Sequence, residues 1–357
     1  MLKKIALGLS GGVDSAVAAV LLQQRGYEVC PFYIVCWQEP GCRAEQDRTD
    51  ALKVALQLNL PFQVLDFKVA YHDKVMNYFY SEYKKGRTPN PDVLCNREIK
   101  FGLFYDWARA NGFDYIATGH YAKTDNNFLF TAKDLNKDQS YFLYQLKQEQ
   151  LEHILFPIGD YLKEEIRKIA KEKKLIVADK KDSMGICFVG NINVRQLLAK
   201  KFGIKKGEVV LQNGTVIGEH DGYWFFNRGH RGGWRRKFRI QNDQFKNDDL
   251  PKLYVIGINK KENKITVGER EACLQDEFVI TEIHWINKNF DLSQRLWVKI
   301  RNTGDFLKAK LNKIEGNQFK VRLEEKTFAV SPGQSCVIYS KVENQESYQV
   351  LGGGIIS

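Results

Sequence analysis

The first half of the chain alternates short apolar runs with longer amphipathic ones. Lys4 to Leu9 reads as a buried strand, and Val13 to Arg25 as a helix ended by Gly26. Tyr27 to Val35 is a second strand, Ala44 to Leu58 a second helix, and Phe62 to Phe67 a third strand. Ala70 to Lys85 is a helix stopped by Gly86. Arg97 to Asn111 is another, stopped by Gly112 and followed by a strand over Asp114 to Ala117. Strands and helices in alternation predict a parallel sheet covered on both faces, with ligands beyond the carboxyl ends of its strands. The charged helix Lys163 to Lys174 continues the pattern, which changes after about Phe202. Glu208 to Leu211, Asn213-Gly214 and Thr215 to Ile217 read as a hairpin. Beyond it lie only short strands and turns: Leu253 to Ile258, Lys264 to Val267, Leu296 to Arg301, Phe319 to Leu323 and Cys336 to Tyr339. The expected fold is an α/β domain with a parallel sheet (1–200), then a small β-rich central domain (201–272) and a C-terminal β domain, expected to be a barrel (273–357).

Length, 357 residues, fits two or three domains. The run Ala16 to Leu22 is far short of the roughly 20 residues that span a bilayer. Ser10 to Ser15 interrupts the apolar start too early for a signal peptide. A cytoplasmic protein without membrane association is expected. The net charge of +11 points to a polyanionic partner. Seven scattered cysteines make no disulfide framework and no metal knuckle, so cysteine chemistry should be redox or nucleophilic.

Five stretches carry chemistry. Ser10-Gly11-Gly12-Val13-Asp14-Ser15 lies between a strand and a helix. Its glycines bring N–H groups close to an anion, and the helix start adds donors and a favourable dipole. It lacks the Gly-Lys-Ser/Thr ending of a Walker A loop. Gly86 to Arg97 holds Pro89 and Pro91, which suggest a rigid, non-helical loop before the helix at Arg97. Asn90 there can bond a base edge and Asp92 can relay a proton. Cys95 lies near Arg87 and Arg97, which favour a thiolate. Ala178 to Phe188 suits a mobile loop, with Cys187 flanked by Lys180 and Lys181. His120 follows the strand from Asp114, at the rim where a nucleotide should lie. Between Arg228 and Arg239 six Lys/Arg residues and no acid are interleaved with Trp234 and Phe238, a pattern that fits RNA. Taken singly, each segment has a plainer reading: a glycine turn, a proline loop, buried cysteines, an exposed basic loop.

Together these segments resemble the tRNA-specific 2-thiouridylases of the MnmA type, a branch of the PP-loop ATP pyrophosphatases. The similarity runs from Leu7 to Ile356 and includes Lys137 to Tyr144, Gly218 to Gly222, Ser331-Pro332-Gly333-Gln334-Ser335 and Gly352 to Ile356. The resemblance implies a Rossmann-like PP-loop domain. ATP, with Mg2+, would bind at Gly8, Leu9, Ser10, Gly11, Gly12, Val13, Asp14 and Ser15, with Ile34 and Gly119 lining the adenosine. It implies that a tRNA wobble uridine meets Asn90, Pro91 and Asp92. Its C2 oxygen is adenylated, pyrophosphate leaves, and sulfur replaces AMP to give 2-thiouridine. Cys187 would carry sulfur as a persulfide loaded by a sulfur-carrier protein. Cys95 would complete the transfer, leaving a Cys95–Cys187 disulfide, with Asp92 as the acid/base. His120, Lys137, Asp138, Gln139, Arg301, Asn302 and Gln334 fall where the family contacts tRNA. A monomer is expected. Departures are Met184 for a usual Gln, Asn302 for an aromatic, Ile34 for a common Met, and Phe226 to Gly233 for a Thr-Ile-Gly-Gln-Arg-type stretch. A PP-loop synthetase for a small molecule and a non-catalytic RNA-binding paralogue are the competing readings.

Overall fold

The computed structural model describes residues 2–38, 43–182, 193–236, 251–287, 290–343 and 345–357. Its first sheet is parallel, with strands β1 (Lys4–Gly8), β2 (Glu28–Val35), β3 (Gln63–Asp66), β4 (Tyr115–Thr118) and a short strand at Ile154–Leu155. The order runs β3-β2-β1-β4 and ends on Ile154–Leu155. Side chains alternate faces along each strand. Ile5 and Leu7 therefore join the core beneath α1 (Val13–Gln24) and α2 (Ala44–Gln57), while Ala6 faces the opposite core. Ala16 to Leu22 is buried throughout, which explains its unbroken apolar run.

The helices between β3 and β4 differ from the periodic expectation. Residues 68–84 form one helical run, α3 (Lys68–Tyr71), a π-helical stretch His72–Met76 and α4 (Asn77–Lys84). The next helical run begins six residues earlier than Arg97, at Pro91, as α5 (Pro91–Cys95), π-helical Asn96–Leu103 and α6 (Phe104–Ala110). The non-helical reading of this segment is therefore corrected. Proline suits the first helical position, where its missing N–H is not needed. Asn90 caps that helix, its Oδ1 accepting from Val93 N at 3.3 Å. The remaining helices are α7 (Gln148–Leu151), α8 (Lys163–Glu172) and α9 (Val194–Phe202).

A small five-stranded sheet follows, built from residue ranges Gly207–Leu211, Val216–His220, Arg235–Arg236, Tyr254–Asn259 and Lys264–Gly268. Its first turn uses Asn213-Gly214, with Gly214 at φ +86°. The C-terminal region is a closed antiparallel barrel of six strands: Leu274–Trp285, Leu296–Lys299, Leu307–Lys313, Phe319–Phe328, Ser335–Lys341 and Tyr348–Ile356. Closure removes exposed sheet edges. Its glycine triplet sits where backbones crowd. A Cβ on Gly352 would lie 2.2 Å from His284 O, and one on Gly353 would lie 2.6 Å from Cys336 O.

The domains are stitched together. A hairpin of the first half, Ala122–Asp125 and Phe128–Thr131, pairs onto the barrel, Leu129 facing Val350 and Phe130 facing Gln349. One apolar cluster contains Phe32 and Tyr141 from the first region, Tyr223 and Val255 from the second, and Val337 and Tyr339 from the barrel. Among the described residues no helix is long and apolar enough to cross a membrane.

Candidate active site

The glycine loop leaves β1 at Gly8 and enters α1 at Val13, at the carboxyl edge of the sheet. Gly11, at φ +73°, lets α2 approach so closely that a Cβ there would lie 2.1 Å from Asp47 O. Gly119 just beyond β4 has the same role against the helix start, where a Cβ would lie 2.6 Å from Ser15 N. Ile34 lies near the carboxyl end of β2. The predicted nucleotide residues thus converge on neighbouring strand ends, as the crossover topology requires. Ser15 Oγ accepts from Ser10 N at 3.1 Å and lies 3.0 Å from Ser10 Oγ, which holds the loop curled over the first turn of α1. These features fit an anion-binding cradle.

A second feature is a cleft of about 330 Å³ lined by Asn90, Pro91, Asp92, Asn302 and Gln334 among others. Phe79, Tyr83, Tyr141 and Phe142 give it aromatic walls. Two sequence motifs far apart in the chain meet here. Thr88 N donates to Pro332 O at 2.8 Å, and Gln334 Nε2 donates to Thr88 O at 3.0 Å and Pro89 O at 3.2 Å. The barrel thereby grips the segment that carries Asn90 and Asp92. Asn302 Oδ1 is buried and has no hydrogen-bond partner among the described residues, an acceptor left for a donor from elsewhere.

Cys95 ends α5 and is fully buried. The two arginines expected to favour its thiolate are engaged elsewhere. Arg87 Nε donates to the buried carboxylate of Glu82 at 2.5 Å, and Arg97 donates to Glu98 at 2.7 Å and Gln145 at 3.2 Å. The Cys95 side chain has no solvent-facing surface. Burial raises the thiols of Cys30, Cys273 and Cys336, which makes them poor nucleophiles. Cys187, Met184 and Phe238 lie outside the described residues.

Comparison with known proteins decides the family. The family model described as tRNA methyl transferase HUP domain matches residues 3–191, the PRC-barrel domain model of that name matches 195–269, and the aminomethyltransferase beta-barrel domain model matches 275–356. A tRNA-specific 2-thiouridylase MnmA of Lysinibacillus sphaericus is 37% identical over 99% of this chain and 94% of its own length. One of Aeromonas hydrophila is 39% identical over 99% and 96%, and one of Streptococcus mutans 36% over 99% and 95%. The chain belongs to the MnmA family. The three family models follow one another along the chain, in the same order as the parallel-sheet, small-sheet and barrel regions.

The remaining positions expected from MnmA relatives divide by environment. His120 is buried, and burial, with Lys100 beside it, pushes its imidazole well below the ordinary range. Lys100 Nζ lies 3.3 Å from Nε2 and Thr118 Oγ1 lies 2.7 Å from Nδ1. An ammonium can only donate, so Nε2 accepts and Nδ1–H donates to the threonine. His120 is thus a neutral, fixed ring and not a phosphate-binding cation. Asp138 is buried too, accepting from Ala132 N at 2.9 Å and from Ser140 Oγ at 2.7 Å. Gln139 Oε1 accepts from Tyr121 N at 3.0 Å. Both side chains face the protein, where they hold the turn. Lys137 and Arg301 stay on the surface. Lys137 pairs with Asp182 at 3.0 Å, and Arg301 donates to Phe328 O at 2.5 Å. In the basic stretch, Arg228 is structural, donating to Ile256 O and Ala272 O at 2.5 and 3.0 Å. Arg235 pairs with Asp221 at 2.5 Å.

The sequence reading named Asp14 and Lys180 but gave no role to Lys163 or Asp182, which join them at the loop. Asp14 accepts from Lys163 Nζ at 2.8 and 2.9 Å and from Tyr121 OH at 2.8 Å. Lys163 also reaches Asp182 at 2.8 Å. Lys180 binds Gly11 O and Asp47 at 2.8 Å and Asp50 at 2.5 Å. Lone charges at the ends of helices look like solvated faces in a sequence, and only packing of α8 on α1 reveals their convergence.

Proposed function

We propose that this protein is a tRNA-uridine 2-sulfurtransferase that uses ATP and Mg2+ to thiolate the wobble uridine. The observation that carries the reading is the cleft in which Asn90, Pro91 and Asp92 meet Asn302 and Gln334 of the barrel. Its aromatic walls suit an unstacked base, and the orphaned Asn302 acceptor suits an N–H of that base. Asn302 would then bond where relatives with an aromatic would stack.

ATP is a substrate held by the glycine loop, with the loop N–H groups and α1 supporting its phosphates. The uridine C2 oxygen attacks the α-phosphorus and the bond to pyrophosphate breaks. Asp92 handles the proton that the uridine loses and regains. The terminal sulfur of a Cys187 persulfide then attacks C2, and AMP leaves with the oxygen. Cys95 takes the inner sulfur, forming a Cys95–Cys187 disulfide as the persulfide bond breaks. A dithiol reductant resets the pair, as suits a cytoplasmic enzyme. A disulfide requires Cα atoms within about 7 Å, so the buried Cys95 must be uncovered when tRNA binds. The enzyme acts as a monomer, loaded by a persulfide-carrying partner protein.

The test is tRNA-dependent ATP cleavage. Unmodified tRNA with a wobble uridine should stimulate release of AMP and pyrophosphate, and Asp92→Asn should lower that stimulation by about a hundredfold or more. Equal stimulation by tRNA with cytidine at that position would contradict the assignment.

A further inference from the structure

The glycine loop is flanked by cations whose partners are themselves carboxylates. Lys163 and Lys180 each expose only 13% of their side chains. Lys180 is committed: its three donors serve Gly11 O, Asp47 and Asp50, which fasten α2 to the loop. Lys163 is placed differently. Its partners are Asp14, in the first turn of α1, and Asp182. Neither carboxylate depends on it. Asp14 keeps the Tyr121 hydroxyl at 2.8 Å, and Asp182 keeps Lys137 at 3.0 Å and Arg167 at 2.7 Å. Lys163 can therefore leave without exposing a bare buried charge, which is the usual cost of breaking such a pair.

The loop it touches is built for an anion, yet Asp14 brings a negative charge into that loop. A polyphosphate there meets like charge unless a cation stands between them. Resting on the proposed ATP-dependent function, we propose that Lys163 is a ligand of the pyrophosphate part of ATP, stored between Asp14 and Asp182 until the nucleotide arrives. Asp182 is then the anion that competes with the nucleotide for this ammonium. Burial raises the Asp182 carboxyl, but Lys163 and Lys137 override that and hold it at about 2, so it is a full charge at neutral pH. Lysine's flexible four-carbon stem allows the ammonium to swing from one anion to the other.

Calorimetric titrations of the full chain with Mg-ATP, pyrophosphate and AMP test this without any turnover. Lys163→Ala should weaken ATP and pyrophosphate by about tenfold or more while leaving AMP within about twofold, the loss of one charge-assisted contact. Retained AMP binding also reports that the variant is folded. Asp182→Asn should tighten pyrophosphate severalfold, because the competitor has gone. Unchanged ATP and pyrophosphate affinity in Lys163→Ala, an equal loss for AMP, or no gain in Asp182→Asn would each overturn the proposal. A wild-type protein that binds none of the three would instead overturn the ATP site itself.

Discussion

At the scale of single residues, burial decides which groups do chemistry. Burial pushes the imidazoles of His120, His220, His230 and His284 below their ordinary value of 6.5. Below that pH the unfolded chain takes up protons that the folded chain does not, so stability falls as pH drops and is unaffected above it. His120 alone contributes up to about 1.4 kcal/mol per pH unit in this window. Asp182 works in a different one, adding stability above its ordinary 3.8 that disappears as pH falls toward 2. The urea midpoint should therefore decline between pH 7 and pH 5, and a flat profile would refute the buried neutral histidines. Sequence alone singled out the glycine loop and the Asn90-Pro91-Asp92 run as candidates, because residue type and order suggest their chemistry. It left Lys163 and Asp182 unseen, since their meaning lies in which carboxylate stands opposite.

At the scale of elements, periodicity located β1 to β4, α1, α2 and α8, but not the 122–131 hairpin, α7 or the Ile154–Leu155 strand. It failed where two signals compete. Pro91 reads as a loop residue, yet with Asn90 as cap it begins a helix. The barrel strand Tyr348–Ile356 was missed because three consecutive glycines hide its β pattern, and these are needed for close backbone approach. The motif around Gly333 shows what such contacts do. Gly333 has φ +90°, and a Cβ would lie 2.9 Å from both Thr88 N and Thr88 O. Gly333→Ala should cost about 1–3 kcal/mol of strain and shift the 88–92 segment. Its tRNA-stimulated turnover should drop severalfold while Mg-ATP affinity stays at the wild-type value. Parallel loss of both would show that the barrel does not act through this segment.

At the scale of the whole molecule, the three regions share a core and a sheet. The 122–131 hairpin extends the barrel, Tyr141 OH donates to Ser335 O at 2.9 Å, and Tyr223 OH donates to Lys84 O at 2.6 Å. Composition and spacing outlined three domains but not this interlock, because pairing between distant strands leaves no local pattern. Urea unfolding followed by tryptophan fluorescence and by far-ultraviolet circular dichroism should give coincident transitions. Two well-separated transitions would mean that the barrel folds independently of the nucleotide domain.

The central claim is uridine thiolation through two cysteines, and nucleoside mass spectrometry tests it most directly. The protein would be incubated with Mg-ATP, a persulfide donor and unmodified tRNA bearing a wobble uridine, alongside Cys95→Ser and Cys187→Ser variants. The account predicts 2-thiouridine with the wild type and none with either variant. Absence of 2-thiouridine with the wild type, while ATP is still cleaved to AMP and pyrophosphate, would contradict it.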